Sequence, residues 1–199
     1  MPKEGKARVL TSSEFKRLIA IAKNGQYGHR NVAIIYCSFG LGLRSKEISA
    51  LKISDIFDED LNILEEVNLT RSMTKGEKQR HIYIHHPKVI EAFKNHIEEM
   101  QNQQPPYFKY DGHLFITQCK SKFTPDAMQK WFSRLFVKAG IKGASSHSGR
   151  RTFITRLIEQ GADIKAVSNL AGHASITTTA GYVDSNPDRL KRIANLAVF

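Results

Sequence analysis

Thirteen residues constrain this chain more than any others: NVAIIYCSFGLGL, from Asn31 to Leu43. A helix that is apolar on every face cannot lie on a surface, so other elements must surround it. Gly40 and Gly42 mark its end. The rest of the chain supplies the cover. TSSEFKRLIAIAK opens with a capping box, Thr11 and Glu14, ahead of Phe15, Leu18, Ile19 and Ala22 at helical spacing. PKVIEAFKNHIEEM carries Ile90, Phe93, Ile97 and Met100 on one face. TPDAMQKWFSRLFVKAGI has Thr124 as cap, Pro125 in the first turn, Gly140 as stop and Met128, Trp131, Phe132 and Leu135 as its apolar stripe. Further helices are expected over RSKEISALKISDI from Arg44, up to Gly161, up to Gly172, and over 186–199, where Leu190, Ile193 and Leu196 are apolar. One region differs. Val67, Leu69, Ile82 and Ile84 alternate with polar residues around TKGEKQR, which reads as a β-hairpin turning near Gly76. LFIT, 114–117, reads as a short strand. The expected fold class is α+β, mainly α-helical, with a small antiparallel hairpin. One domain spans 1–199, preceded by a basic tail at 1–10.

Charge narrows the function. Thirty Lys+Arg against 19 Asp+Glu leave a net +11 on 199 residues, and a basic domain of this size meets a polyanion, nucleic acid first. No apolar run approaches the roughly 20 residues that cross a bilayer. The N-terminus lacks a signal-peptide core. The two cysteines, Cys37 and Cys119, form neither a metal knuckle nor a disulfide framework. A cytoplasmic protein with no membrane partner is expected.

Four short stretches carry candidate chemistry. His147 and Arg150 in HSGR stand three apart, on one face near a helix start, where phosphate is attracted. Arg44 follows a Gly turn on a rigid support, with Glu47 one turn on to pair with it and orient it. Lys75, Lys78 and Arg80 surround a tight turn suited to a DNA backbone, or simply to solvent. Tyr182, in GHASITTTAGYVD, is by its own surroundings either a core aromatic or a reagent. Metal chemistry is not expected. His81 and His85 share a strand face with no carboxylate nearby, and DEDLN (58–62) reads as a solvated acidic loop rather than a two-metal site. No G-x-S-x-G elbow appears.

Taken together, GLRSKEISALKISDI, TKGEKQRHIYI, HSGRRTFIT and LAGHASITTTAGYVD stand in the order and spacing of the tyrosine recombinase (phage integrase) family. The chain resembles that family's catalytic domain along nearly its whole length. The resemblance implies an integrase-type fold whose hairpin carries the catalytic lysine. It implies Arg44 as the first catalytic arginine, Glu47 as its acidic support, Lys75 as the hairpin lysine, His147 and Arg150 as the His-x-x-Arg pair, His173 as the second histidine and Tyr182 as the nucleophile. Lys78, Arg80 and Arg151 are then expected to contact DNA.

On that resemblance, two guanidiniums hold the scissile phosphate. His147 accepts the tyrosine proton, Lys75 protonates the leaving 5′-oxygen, and neither metal nor ATP is needed. Double-stranded DNA is the substrate, and a tetramer on two DNA sites the working assembly, with the helix at 186–199 expected either to dock on a neighbour or to fold back on its own domain. Two departures stand out: Ser148-Gly149 lies inside the His-x-x-Arg motif, where Asp-Leu is common, and Arg151 stands where the family often has His. The core-binding domain typical ahead of the catalytic one is also not visible. On the resemblance it is expected either to have been removed or to be naturally absent, and DNA binding without it is expected to be weak and salt-sensitive. The rival reading is a catalytically idle DNA-binding or regulatory factor that works through an accessory or full-length recombinase partner.

Overall fold

A computed structural model describes residues 7–73, 79–103 and 108–182. In chain order it runs α1 (Ser12–Lys23), α2 (Gly28–Gly40), α3 (Ser45–Ala50), α4 (Ile53–Ile56), β1 (Glu66–Leu69), β2 (Arg80–Tyr83), α5 (Pro87–Gln103), α6 (Pro125–Lys138), α7 (Ser148–Glu159), α8 (Ile164–Ala171) and α9 (Ile176–Ala180). As its sequence requires, α2 is central: α1, α3, α5 and α7 all pack on it, and Ala33, Ile34, Ile35 and Cys37 are fully buried. The approach of α7 is very close. A Cβ on Gly149 would lie 2.8 Å from Ser38 Cβ and 2.9 Å from Phe39 Cδ2, so glycine here is a packing requirement.

The helix starts follow the local signals. Thr11 Oγ1 accepts from the Glu14 N–H at 3.2 Å, and the Thr11 N–H donates back to Glu14 Oε2 at 3.0 Å. Thr124 Oγ1 accepts from the Ala127 N–H at 3.1 Å, and α6 has Pro125 in its first turn. In the hairpin, β1 and β2 are antiparallel with Val67 opposite Ile82 and Leu69 opposite Arg80. Val67, Leu69, Arg80 and Ile82 face inward; His81 and Tyr83 face out. A second, smaller apolar cluster joins α7 to α8 through Ile154, Ile158, Val167 and Ala171, with Phe153, Leu157 and Tyr182 packed against it.

Several expectations are corrected. RSKEISALKISDI forms two helices, because the chain extends at Leu51 and Lys52 before Asp55 caps α4 by accepting the Lys52 N–H at 2.7 Å. LFIT is not a strand. The Leu114 N–H is taken by the Leu51 carbonyl, and Ile116 makes only an isolated bridge to Lys122. Helix α9 arises in ITTTA, where three β-branched threonines disguise it; the Ser175 side chain caps it by accepting the Thr177 N–H. Residues 7–10 do not trail free. Leu10 is buried, and Arg8 pairs with Glu14 at 2.6 Å. Residues 1–6 of the expected tail, and the helix expected at 186–199, lie outside the described residues.

Candidate active site

Where α2 ends, Gly42 turns the chain at φ +64°, with no room for a Cβ beside the Phe153 ring. The turn delivers Arg44 as the N-cap of α3. Its backbone N–H donates to Glu47 Oε2 at 2.7 Å and its Nη1 to Glu47 Oε1 at 3.0 Å. Glu47 is fully buried. From β2, Arg80 reaches the same carboxylate: Nη2 donates to Oε2 at 2.8 Å, Nε to Oε1 at 3.4 Å, and Nη1 turns away to the Leu170 carbonyl at 2.5 Å. Burial alone would raise the Glu47 carboxyl, but Arg80 and then Arg44 outweigh it, so the group is held below its ordinary value and ionised.

Arg150 enters from the first turn of α7. Its Nη1 donates to the Gly42 carbonyl at 2.7 Å and its Nη2 to the Ala171 carbonyl. Burial, then the neighbouring Arg44 and Arg80, lower its pKa to about 9, so it stays a cation at neutral pH. Arg44, Arg80 and Arg150 thus gather around one carboxylate, an excess of positive charge that favours an incoming anion.

The remaining members come from the exit of α8. Gly172 caps that helix at φ +61°, and its carbonyl faces Arg44 Nη2 at 3.4 Å. Next along the chain, His173 Nδ1 lies 2.7 Å from Thr179 Oγ1. Burial and the arginines Arg150, Arg44 and Arg80 push the His173 ring down to about 4, so it is neutral at pH 7. The Tyr182 ring lies nearly parallel to it, 5.8 Å away between centroids, and its backbone N–H donates to the Thr179 carbonyl at 3.0 Å. Arg151 stands over the Tyr182 ring at 5.4 Å.

Arg44, Glu47, Arg150, His173 and Tyr182 are therefore brought together from three separate stretches of sequence. His147 is the N-cap of α7 and exposed, whereas Arg150 is buried, so the pair does not share one face. Lys75 and Lys78 lie outside the described residues. The reading of Arg80 as a DNA contact on the hairpin is corrected: it is 6% exposed, with its guanidinium committed to Glu47 and Leu170. The signal was present in the sequence, since Arg80 has the same parity as the inward-facing Ile82 and Ile84. His81 is also corrected; it has a carboxylate, Glu66, 2.8 Å from its Nδ1. Among the described residues no group of three or more His, Cys, Asp or Glu is placed to hold a metal. None of their helices is long and apolar enough to cross a membrane.

Residues 8–189 match the Phage integrase family. Tyrosine recombinase XerA of Pyrococcus furiosus is 32% identical over 191 residues, which cover 94% of this chain and 61% of that protein. The chain thus spans about three fifths of that relative's length. Among solved structures, the catalytic domain of bacteriophage HP1 integrase shares the fold at a TM-score of 0.66 and 21% identity, covering 96% of each chain. The Tn1549 transposon integrase, in complex with circular intermediate DNA, shares it at 0.76 and 23%, covering 98% of this chain and 69% of that one.

Proposed function

The chain belongs to the phage integrase family, and from that premise we propose that it cleaves and rejoins duplex DNA at specific sites through Tyr182. The observation that carries the reading is the convergence of Arg44, Arg150 and neutral His173 beside the Tyr182 ring. A phenol with an ordinary pKa near 10 attacks a phosphodiester slowly, because the phosphate repels it and the hydroxyl holds its proton. Each terminal nitrogen of a guanidinium has two N–H groups. Arg150 spends one of each on the Gly42 and Ala171 carbonyls. The others remain for the non-bridging oxygens of a phosphate, with Arg44 beside them. These donors act most strongly as charge builds in the transition state. Thr179 Oγ1 lies 2.7 Å from Nδ1; in the tautomer whose Nδ1 accepts that hydrogen bond, the neutral His173 ring carries its proton on Nε2 and offers it to a non-bridging oxygen.

In the proposed step the Tyr182 oxygen attacks phosphorus in line and its proton passes to His147. The bond to the 5′-oxygen breaks, and Lys75 protonates that oxygen as it leaves. A 3′-phosphotyrosyl link and a free 5′-hydroxyl result. Attack by another 5′-hydroxyl reverses the step on a new strand, which completes integration, excision or inversion. Duplex DNA is the proposed substrate, and four copies on two sites the proposed assembly, working in the cytoplasm where the DNA is.

Incubation with a nicked duplex that loses a short 5′-hydroxyl fragment on cleavage tests the proposal. Wild type is expected to accumulate a covalent protein–DNA adduct in denaturing gels, and Tyr182→Phe none. Absence of an adduct with wild type on every duplex tried, including DNA flanking its own gene, would overturn the enzymatic reading in favour of an accessory DNA-binding role.

A further inference from the structure

We propose that Arg80 is a positioning residue: a buried clamp between Glu47 and the exit of α8 that sets where Arg44 and His173 stand. The inference rests on the reading of this site as a recombinase centre. Its basis is the way one side chain closes three elements together. Arg80 meets the Glu47 carboxylate side-on, Nη2 on Oε2 and Nε on Oε1, while Arg44 meets the same two oxygens with its backbone N–H and its Nη1. The carboxylate plane is therefore held from both sides, and with it the direction of the Arg44 side chain.

The two arginines are not equivalent. Arg44 keeps 21% of its side chain exposed and Arg80 only 5%, and Arg80 has Nε and Nη2 on the Glu47 carboxylate and Nη1 on the Leu170 carbonyl, so it is Arg44 that is turned toward a ligand and Arg80 that is committed to the protein. Arg80 also neutralises Glu47 from behind. Without it, the buried carboxylate would have Arg44 as its closest cation and would draw that guanidinium inward, away from an incoming phosphate.

The other end of the clamp reaches His173. Arg80 Nη1 donates to the Leu170 carbonyl, three residues before that histidine. The aliphatic part of Arg80 lies against Gly172 so closely that a Cβ there would overlap the Arg80 Cδ and stand 3.0 Å from its Nε. The glycine preceding His173 thus leaves the space through which Arg80 locks strand β2 to the turn carrying the histidine. A lysine would keep the charge but lose the planar fork that holds two partners at once.

The test measures single-turnover adduct formation at saturating nicked duplex for wild type, Arg80→Lys and Arg80→Met, alongside duplex affinity across salt concentrations and thermal melts. Arg80→Lys is expected to melt cooperatively and to cleave on the order of 10²-fold more slowly, the scale of small misplacements in a reacting geometry. Its salt dependence of binding should be unchanged. In Arg80→Met, Glu47 loses a counter-cation and is left with Arg44 and the more distant Arg150. Its carboxyl should rise, and the acid limb of the pH–rate profile should move to higher pH; Arg80→Lys should restore that limb but not the rate.

Cleavage at the wild-type rate in Arg80→Lys would overturn the proposal. So would a salt slope reduced by about 0.9, the signature of one lost phosphate contact. A slower Arg80→Met whose acid limb stays in place would mark plain packing and overturn it too. If Arg80→Met does not melt cooperatively, Arg80→Lys decides alone through its rate and salt slope. A wild type that forms no adduct speaks against the recombinase reading; the salt slope of duplex binding then still separates a buried clamp from a phosphate contact.

Discussion

Replacing Gly172 by alanine separates two costs that usually come mixed. The first is conformational: φ is +61°, and a left-handed backbone costs an alanine roughly 1–2 kcal/mol. The second is steric, because the new Cβ would occupy the place of the Arg80 Cδ. Arg80 must then leave Glu47 or the chain must move away from it. Breaking a buried ion pair costs about 3–5 kcal/mol; the lower end applies, since Glu47 keeps Arg44. The sum is about 4–5 kcal/mol. Gly140 and Gly161 provide internal controls, with φ of +65° and +89° and nothing within 4 Å of an added Cβ. Alanine at either should cost only the conformational part. In a domain of this size each kcal/mol lowers Tm by roughly 2–4 °C, so Gly172→Ala is expected to lower it by about 8–20 °C and the controls by about 2–8 °C. Urea unfolding of the three variants in parallel gives the free energies directly. A Gly172→Ala cost within about 1 kcal/mol of the controls, on these estimates, would refute the claim that Arg80 packs against this backbone.

Two further outcomes follow from buried positions. His96 is fully buried against Phe115, with Nε2 donating to the Leu114 carbonyl at 2.8 Å, and burial lowers its pKa to about 4. An unfolded His96 takes up a proton near pH 6.5 that the folded one refuses. Stability should therefore be full above pH 6.5 and fall by about 3 kcal/mol on going to pH 4. Urea midpoints measured across that window should flatten in His96→Gln; an equal slope would place the titration elsewhere. Gly149→Ala should cost about 1–3 kcal/mol by overpacking α7 on α2, and Ser38→Gly in the same chain should recover most of it. No recovery in the double variant's melt would show that the strain lies outside the Gly149–Ser38 contact.

The helical architecture was legible because each long helix announces itself through spacing and punctuation that act within a few residues. Thr11 with Glu14, Thr124 with Pro125, and Gly140, Gly161 and Gly172 work through local hydrogen bonds and dihedrals. The apolar run through α2 likewise required a central helix. The same locality explains the misses. Three threonines hid α9, and the Leu114–Thr117 stretch looked like a strand although its partners are scattered loop carbonyls and side chains rather than a neighbouring strand.

The candidate site divides along the same line. The resemblance that links its members resides in the order of residue types along the chain, which is why Arg44, Arg150, His173 and Tyr182 could be singled out as candidates beforehand. What each cation faces depends on contacts between elements tens of residues apart in sequence. Arg80 sits 33 residues from Glu47 and 90 from Leu170. The parity of Arg80 with Ile82 marks it as inward-facing, but nothing near it in sequence says what it meets there. Only the packing of β2 against α3 and α8 decided that this arginine shares a carboxylate with Arg44, because pairing belongs to the assembled interior rather than to any stretch of chain.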